Sequence, residues 1–319
     1  MRANIVIASI LAVCSLFFAS CSINRLAMNL VADALTGDGN ADVFTGDTDP
    51  QLVGDAIPFA IKMYEALLSQ NPTHQGLLNT TGSMFVMYAN AFVQGPAEML
   101  PQTRHEDRVA ALNRAKSLYL RGLELLYRGL ELKYPGFSAA FAENRLPEAL
   151  ARMRIGDVPA LYWSAAAGLS AFSLNPFDLD LGMRIMEFYS LIERAYELDP
   201  NFNQGALDEF LLLFHASIPA GMGGDPSRVE TYFERAVEKS GGNSAGVYVS
   251  YAQSICIPSQ NYDKFREMLE SALSIDVNAI PSNRLVNIIS QRKARYLLAN
   301  APQFFFLLGA DDDWSDEDW

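Results

Sequence analysis

Residues 183–200 read Met183-Arg-Ile-Met-Glu-Phe188-Tyr-Ser-Leu-Ile192-Glu-Arg-Ala195-Tyr-Glu-Leu-Asp-Pro200. Counted back from Pro200, Ala195, Ile192 and Phe188 stand five, eight and twelve positions away, which places all three on one face of an α-helix. Proline lacks an amide hydrogen and ends the helix. The same offsets land on Leu67, Tyr64 and Ala60 before Pro72, and on Leu130, Tyr127 and Leu123 before Pro135. Before Gly241 they give Ala236, Phe233 and Val229; before Val277 they give Ala272, Leu269 and Phe265.

Five matches to one apolar template predict helical hairpins in which a small residue lets the neighbouring helix approach closely. The terminators at 72, 135, 200, 241 and 277 lie 63, 65, 41 and 36 residues apart. Only the last interval approaches the roughly 34-residue period of regular repeats. The reading is all-α: an irregular, insertion-bearing tetratricopeptide-like solenoid of about 11–12 helices. A non-repeating α-bundle is the alternative.

Half of the 319 residues are apolar, so a sizeable core is available, and the formal charge of −13 disfavours nucleic acid, whose phosphates need a basic face. Cys14 lies in an apolar leader, Cys21 follows it, and Cys256 is left without a disulfide partner. The run from Ile5 to Ala19 follows Arg2 and is too short to span a bilayer, which makes it a targeting segment. It ends in Phe18-Ala-Ser-Cys21, similar to a loose bacterial lipobox in which Cys21 is lipidated; an ordinary signal peptide cut nearby is the alternative. Both predict export, and a lipid on Cys21 would anchor the chain to a membrane surface.

The expected organisation is a leader at 1–20, an anchored amphipathic helix and tether at 21–49, a helical domain at 50–300 and an acidic tail at 301–319. Asp49 and Pro50 are the expected N-cap and first-turn proline of one helix, and Asp157 and Pro159 those of another. Helices are predicted over 76–94, 104–133, 203–217, 227–240, 245–257, 262–275 and 282–299. In the tail, Trp314 and Trp319 stand among aspartates, either as a disordered acidic end or as docking residues.

Catalytic and metal chemistry find little support. His74, His105 and His215 stand in no ligand spacing, and His215, on an apolar helix, reads as a core or groove histidine. Gly221-Met-Gly-Gly-Asp-Pro226 lacks the Gly-Lys-Ser/Thr ending of a phosphate loop and reads as a turn before a capped helix. Asp208 and Glu209 are adjacent and cannot share a helix face as an acid/base pair. No enzyme activity, metal or cofactor is expected. The candidate binding residues are aromatic: Tyr88, Phe92, Tyr119, Tyr162, Trp163, Tyr248 and Tyr251 fall on successive helices, either lining a concave surface or filling the hairpin core. Arg284, Asn287 and Gln291 share one face of the last long helix, as an exposed end or a binding rim.

Several of these stretches together resemble the T component of tripartite ATP-independent periplasmic (TRAP) transporters, as found in spirochaetes. They are Tyr88-Ala-Asn-Ala-Phe92-Val, Tyr134-Pro-Gly-Phe137, Leu161-Tyr-Trp-Ser-Ala-Ala166, the Gly221 to Pro226 loop, Ala245-Gly-Val-Tyr-Val-Ser-Tyr-Ala252, and Asn283-Arg-Leu-Val-Asn-Ile-Ile-Ser-Gln-Arg-Lys-Ala-Arg-Tyr-Leu-Leu298. The resemblance covers roughly residues 21–300. It departs at Gly205-Ala-Leu-Asp208, where many relatives carry Gly-Ala-Ile-His. It implies a periplasmic lipoprotein that forms a homotrimer, binds the substrate-binding P component and holds channels through which a ligand, including a hydrophobic one, passes. A general interaction scaffold of the envelope is the alternative.

Overall fold

The computed structural model describes residues 42–306, and every regular element among them is helical. Ten principal helices are joined by short helical pieces. The first, α1 (Pro50–Gln70), starts as its sequence dictates: Asp49 accepts hydrogen bonds from the amides of Gln51 and Leu52 at 2.9 and 3.1 Å, with Pro50 in the first turn. Then come α2 (Gln75–Tyr88), the 29-residue α3 (His105–Lys133), α4 (Val158–Leu174) and α5 (Ile185–Leu198). The series ends with α6 (Ala206–Ser217), α7 (Val229–Lys239), α8 (Ala245–Tyr251), α9 (Tyr262–Ser274) and α10 (Arg284–Ala299).

Two inner helices run on into π-helical turns, α2 through Ala89–Gln94 and α8 through Ala252–Cys256. The amide of Gly95 bonds to the carbonyl of Asn90, and that of Ile257 to Ala252, each five residues back.

Each principal helix packs on the next in the chain, and α2, α4, α6, α8 and α10 also pack on one another in series. The even-numbered helices therefore form an inner layer. Their composition agrees: α2 and α4 carry no charged residue, and α4 buries residues around most of its girth. The odd-numbered α5, α7 and α9 are amphipathic, and their expected triads all face the core: Phe188, Ile192 and Ala195; Val229, Phe233 and Ala236; Phe265, Leu269 and Ala272 are buried.

On α1 the buried set is Val53, Ile57, Ile61, Tyr64 and Leu68, so Ala60 and Leu67 flank the seam and are half-buried.

The last helix returns to the first. Leu285 and Ile289 of α10 join the apolar cluster of α1 and α2, Arg284 Nη1 donates to the Gly46 carbonyl at 2.7 Å, and Lys293 Nζ meets Glu98 at 2.7 Å.

Asp157 was expected to cap α4, but its carboxylate turns backward. It accepts from the Arg154 amide at 2.8 Å, Lys133 Nζ at 2.6 Å and the Tyr134 hydroxyl at 2.6 Å. Burial disfavours its charge, yet these bonds outweigh burial and hold the carboxyl below its usual range.

Candidate functional site

Four inner helices bring polar groups to one recess. Tyr162 projects from α4, Glu209 from α6, Ser250 from α8 and Ser290 from α10, and all four side chains keep some accessible surface while protein surrounds them. Ser250 Oγ donates to Glu209 Oε1 at 2.9 Å. Gly246 lies beneath them: a Cβ there would stand 3.3 Å from Glu209 Oε1 and 3.6 Å from Ser290 Oγ. The Tyr162 ring meets Trp163 edge-on at 5.1 Å and Phe202 at 5.4 Å. Burial pushes the Glu209 carboxyl up, and the Ser250 hydrogen bond only partly offsets this. Burial, then the charge of Glu209, raises the Tyr162 phenol.

The neighbouring Asp208 points the other way. It is fully buried, accepts from Lys239 Nζ at 2.6 Å and from the Tyr196 hydroxyl at 3.1 Å. The two adjacent carboxylates thus serve different faces of α6, as helix geometry requires.

The other expected binding residues divide. Tyr119 is fully buried, its hydroxyl donating to Gln94 at 2.7 Å, and Tyr251 is buried with its hydroxyl on Glu230 at 2.7 Å. Phe92 packs over Gly54 of α1, where a Cβ would approach its ring to 2.7 Å, and stacks on Tyr88 at 6.0 Å. Tyr248 rests edge-on against Phe233 at 5.9 Å. The structure brings none of these to the recess beside Tyr162.

On α10, Asn287 and Gln291 are buried and form neither an exposed end nor a rim. Asn287 Oδ1 accepts from the Ala245 amide at 2.9 Å and Nδ2 donates to the Asn243 carbonyl at 2.9 Å, which caps α8. Gln291 Nε2 donates to the carbonyls of Ala272 and Ile275 at 3.1 and 2.8 Å, which closes α9. Arg284 reaches Gly46 as described. These three residues hold helix ends and the closure of the array.

His215 is buried against Tyr232, ring centroids 5.4 Å apart and nearly parallel, and its Nδ1 accepts from the Asp225 amide at 3.1 Å. Burial and then the Arg228 charge depress its pKa, which disfavours the charged ring. The 221–226 loop is a turn whose Asp225 side chain accepts from the Ser227 amide at 3.1 Å. An open groove of about 670 Å³ along α3 includes Leu123, Tyr127, Glu131 and Arg184.

Among the described residues no group of three or more His, Cys, Asp or Glu could hold a metal ion, and no helix is long and apolar enough to cross a membrane. Cys21, Trp314 and Trp319 lie outside the described residues.

Sequence reasoning weighed Glu209 only as half of an acid/base pair and passed over Ser250 and Ser290. The available signal was the carboxylate pair Asp208-Glu209 directly ahead of Phe210-Leu-Leu-Leu-Phe214, unusual residues beside so apolar a run.

The chain matches the family of TRAP transporter T-components over residues 46–305. It is also 37% identical over 305 residues to an uncharacterized protein of Treponema pallidum (strain Nichols), an alignment covering 91% of this chain and 94% of the relative.

Proposed function

This chain belongs to the TRAP transporter T-component family, and from that premise we propose that it is a non-enzymatic, tetratricopeptide-like accessory that binds the transporter's P component and passes a ligand to it. In this reading a lipid on Cys21 holds the protein at a membrane surface in the periplasm and the working unit is a homotrimer. The single observation that carries ligand handling is the aromatic and polar recess between inner helices, where Tyr162, Trp163 and Glu209 remain partly accessible. Concave sites of this kind combine apolar walls with a few convergent polar groups.

A second reading, an interaction scaffold without a ligand, draws support from the outer surface. Phe177, Leu179 and Met183 are 91%, 80% and 69% exposed around the Leu179–Met183 turn. Contiguous apolar patches of that sort mark contact sites.

The test is the mass of the full chain by light scattering, alone and mixed with a TRAP-type substrate-binding protein. A trimer that gains mass on mixing supports the accessory reading. A monomer whose mass does not change overturns it and leaves the scaffold.

A further inference from the structure

We propose that the recess formed by Tyr162, Glu209, Ser250 and Ser290 binds the ammonium group of an organic cation, whose apolar remainder lies toward Trp163. This rests on the ligand-handling reading above and names the chemistry of its ligand.

The argument starts from charge. The well-buried carboxylates elsewhere among the described residues have cationic partners: Asp157 has Lys133 at 2.6 Å, Glu187 has Arg184 at 2.6 Å, and Asp208 has Lys239 at 2.6 Å. Glu209 has no ion-pair partner among the described residues; its bond is to the neutral Ser250 hydroxyl. An ionised carboxylate taken out of water without a counter-charge is costly, and folded proteins pair such groups. A guest cation supplies the missing partner.

Three further observations fit an ammonium group. The Ser250 and Ser290 hydroxyls offer oxygen acceptors beside the carboxylate, and the Tyr162 phenol lies within reach of its charge. The rings of Tyr162, Trp163 and Phe202 stand together at 5.1 and 5.4 Å, and aromatic faces attract ammonium groups through their quadrupole. Glycine at 246 lets the Glu209 carboxylate and the Ser290 hydroxyl lie close to the α8 backbone, where a Cβ would stand 3.3 and 3.6 Å from them. A divalent metal ion fits poorly, because one carboxylate and three neutral hydroxyls fall short of the anionic oxygen set that Ca²⁺ or Mg²⁺ takes. An anion would meet the Glu209 charge directly.

The experiment uses the full chain in a maltoside detergent, with Trp314→Phe and Trp319→Phe so that Trp163 is the one remaining indole of the three. Butylammonium, butyltrimethylammonium, butyrate and butan-1-ol are titrated, reading Trp163 fluorescence and the heat of binding. The expected result is saturable binding of both cations, with butyrate and butanol weaker by at least about tenfold. Glu209→Gln weakens the cations by at least about tenfold and leaves butanol unchanged. Gly246→Ala, which places a methyl in front of the carboxylate, weakens butyltrimethylammonium more than butylammonium. Unfolding curves taken alongside show that each variant is folded. Equal binding of cation and alcohol, unchanged cation affinity in Glu209→Gln, or no saturable binding of any probe overturns the proposal. Mass gain with the P component, measured on the same samples, separates the two readings: if it persists while cations fail, the transport reading stands and the ammonium site falls.

Discussion

Helices α2 and α8 are two versions of one element. Residues 82–94 read Gly-Ser-Met-Phe-Val-Met-Tyr-Ala-Asn-Ala-Phe-Val-Gln, and residues 245–257 read Ala-Gly-Val-Tyr-Val-Ser-Tyr-Ala-Gln-Ser-Ile-Cys-Ile. Set one above the other, Val86 meets Val249, Tyr88 meets Tyr251 and Ala89 meets Ala252, and the π turn begins at the same alanine in both. The packing positions correspond too: Val86, Ala89 and Val93 are buried in one, Val249, Ala252 and Cys256 in the other. The other face has diverged. Where α2 has Met87, α8 has Ser250 on Glu209. The packing face differs at one position, where α2 has Gly82 crossing Gly122 of α3 and α8 has Ala245. The shared π turn fixes how each helix enters the inner layer, and that leaves the recess side free to change its chemistry.

The largest expected effect tests the close crossing. A Cβ at Gly82 would stand 2.7 Å from Leu126 Cγ and 2.9 Å from the Gly122 carbonyl, both held by α3. Gly82→Ala should therefore cost about 2–3 kcal/mol in urea unfolding, as overpacked cores do. Gly246→Ala meets a carboxylate that can swing aside, touches Ser290 Oγ at an ordinary 3.6 Å and gains helix propensity, so it should lie within about 0.5 kcal/mol of the parent. Equal losses at the two sites would dissolve the contrast.

The two helices also begin differently. His74 caps α2 from its own turn, its Nδ1 accepting from Leu77 at 3.1 Å, whereas α8 is capped by Asn287, 42 residues further on. Asn287→Ala strands a buried amide and a carbonyl and should cost about 1–2 kcal/mol. His74→Ala should cost about 1 kcal/mol or less, by the same unfolding measurement.

A third effect appears with pH. The folded-state pKa of Glu209 is raised above 4.5, so the native state holds this proton more tightly than the unfolded chain. Its stabilising contribution is complete below pH 4.5 and is lost as pH rises through the folded value. Glu209→Gln should thus gain stability relative to the parent as pH rises above 4.5, then level off. A constant difference in urea midpoint from pH 4 to 8 would contradict this. The smallest effect belongs to the ion pair that ties α10 to the end of α2: both partners of Lys293–Glu98 are about a quarter exposed, so Lys293→Met should cost under about 1 kcal/mol while raising amide exchange at the end of α2 and in α10.

The outer helices were readable because solvent on one side and core on the other impose a 3.6-residue rhythm. Phe188, Ile192 and Ala195 obey it, and so do the triads of α7 and α9. The cap at Asp49 was readable because its bonds are local. The inner helices gave no such rhythm. Tyr162 and Trp163 sit in a segment apolar on most sides, where periodicity cannot separate wall from core. Asn287 and Gln291 looked like a polar face because their partners, helix ends on α8 and α9, are not neighbours in sequence. Glu209 is distinguished by having no ion-pair partner among the described residues, which only the folded arrangement reveals.

The return of α10 to α1 sets an order of events for the chain as it is made. Synthesis runs from the amino end, so α1 and α2 exist long before Leu285 arrives to complete their apolar cluster, and Gly46 waits 238 residues for the Arg284 guanidinium. Until then α8 lacks its cap, α9 lacks its closing bonds and the seam on α1 faces water. Contacts of such sequence separation form late and slow the final step. A chain stopped before residue 284 would carry its flaw at both ends at once, and those unfinished ends are where a protease or chaperone would find it.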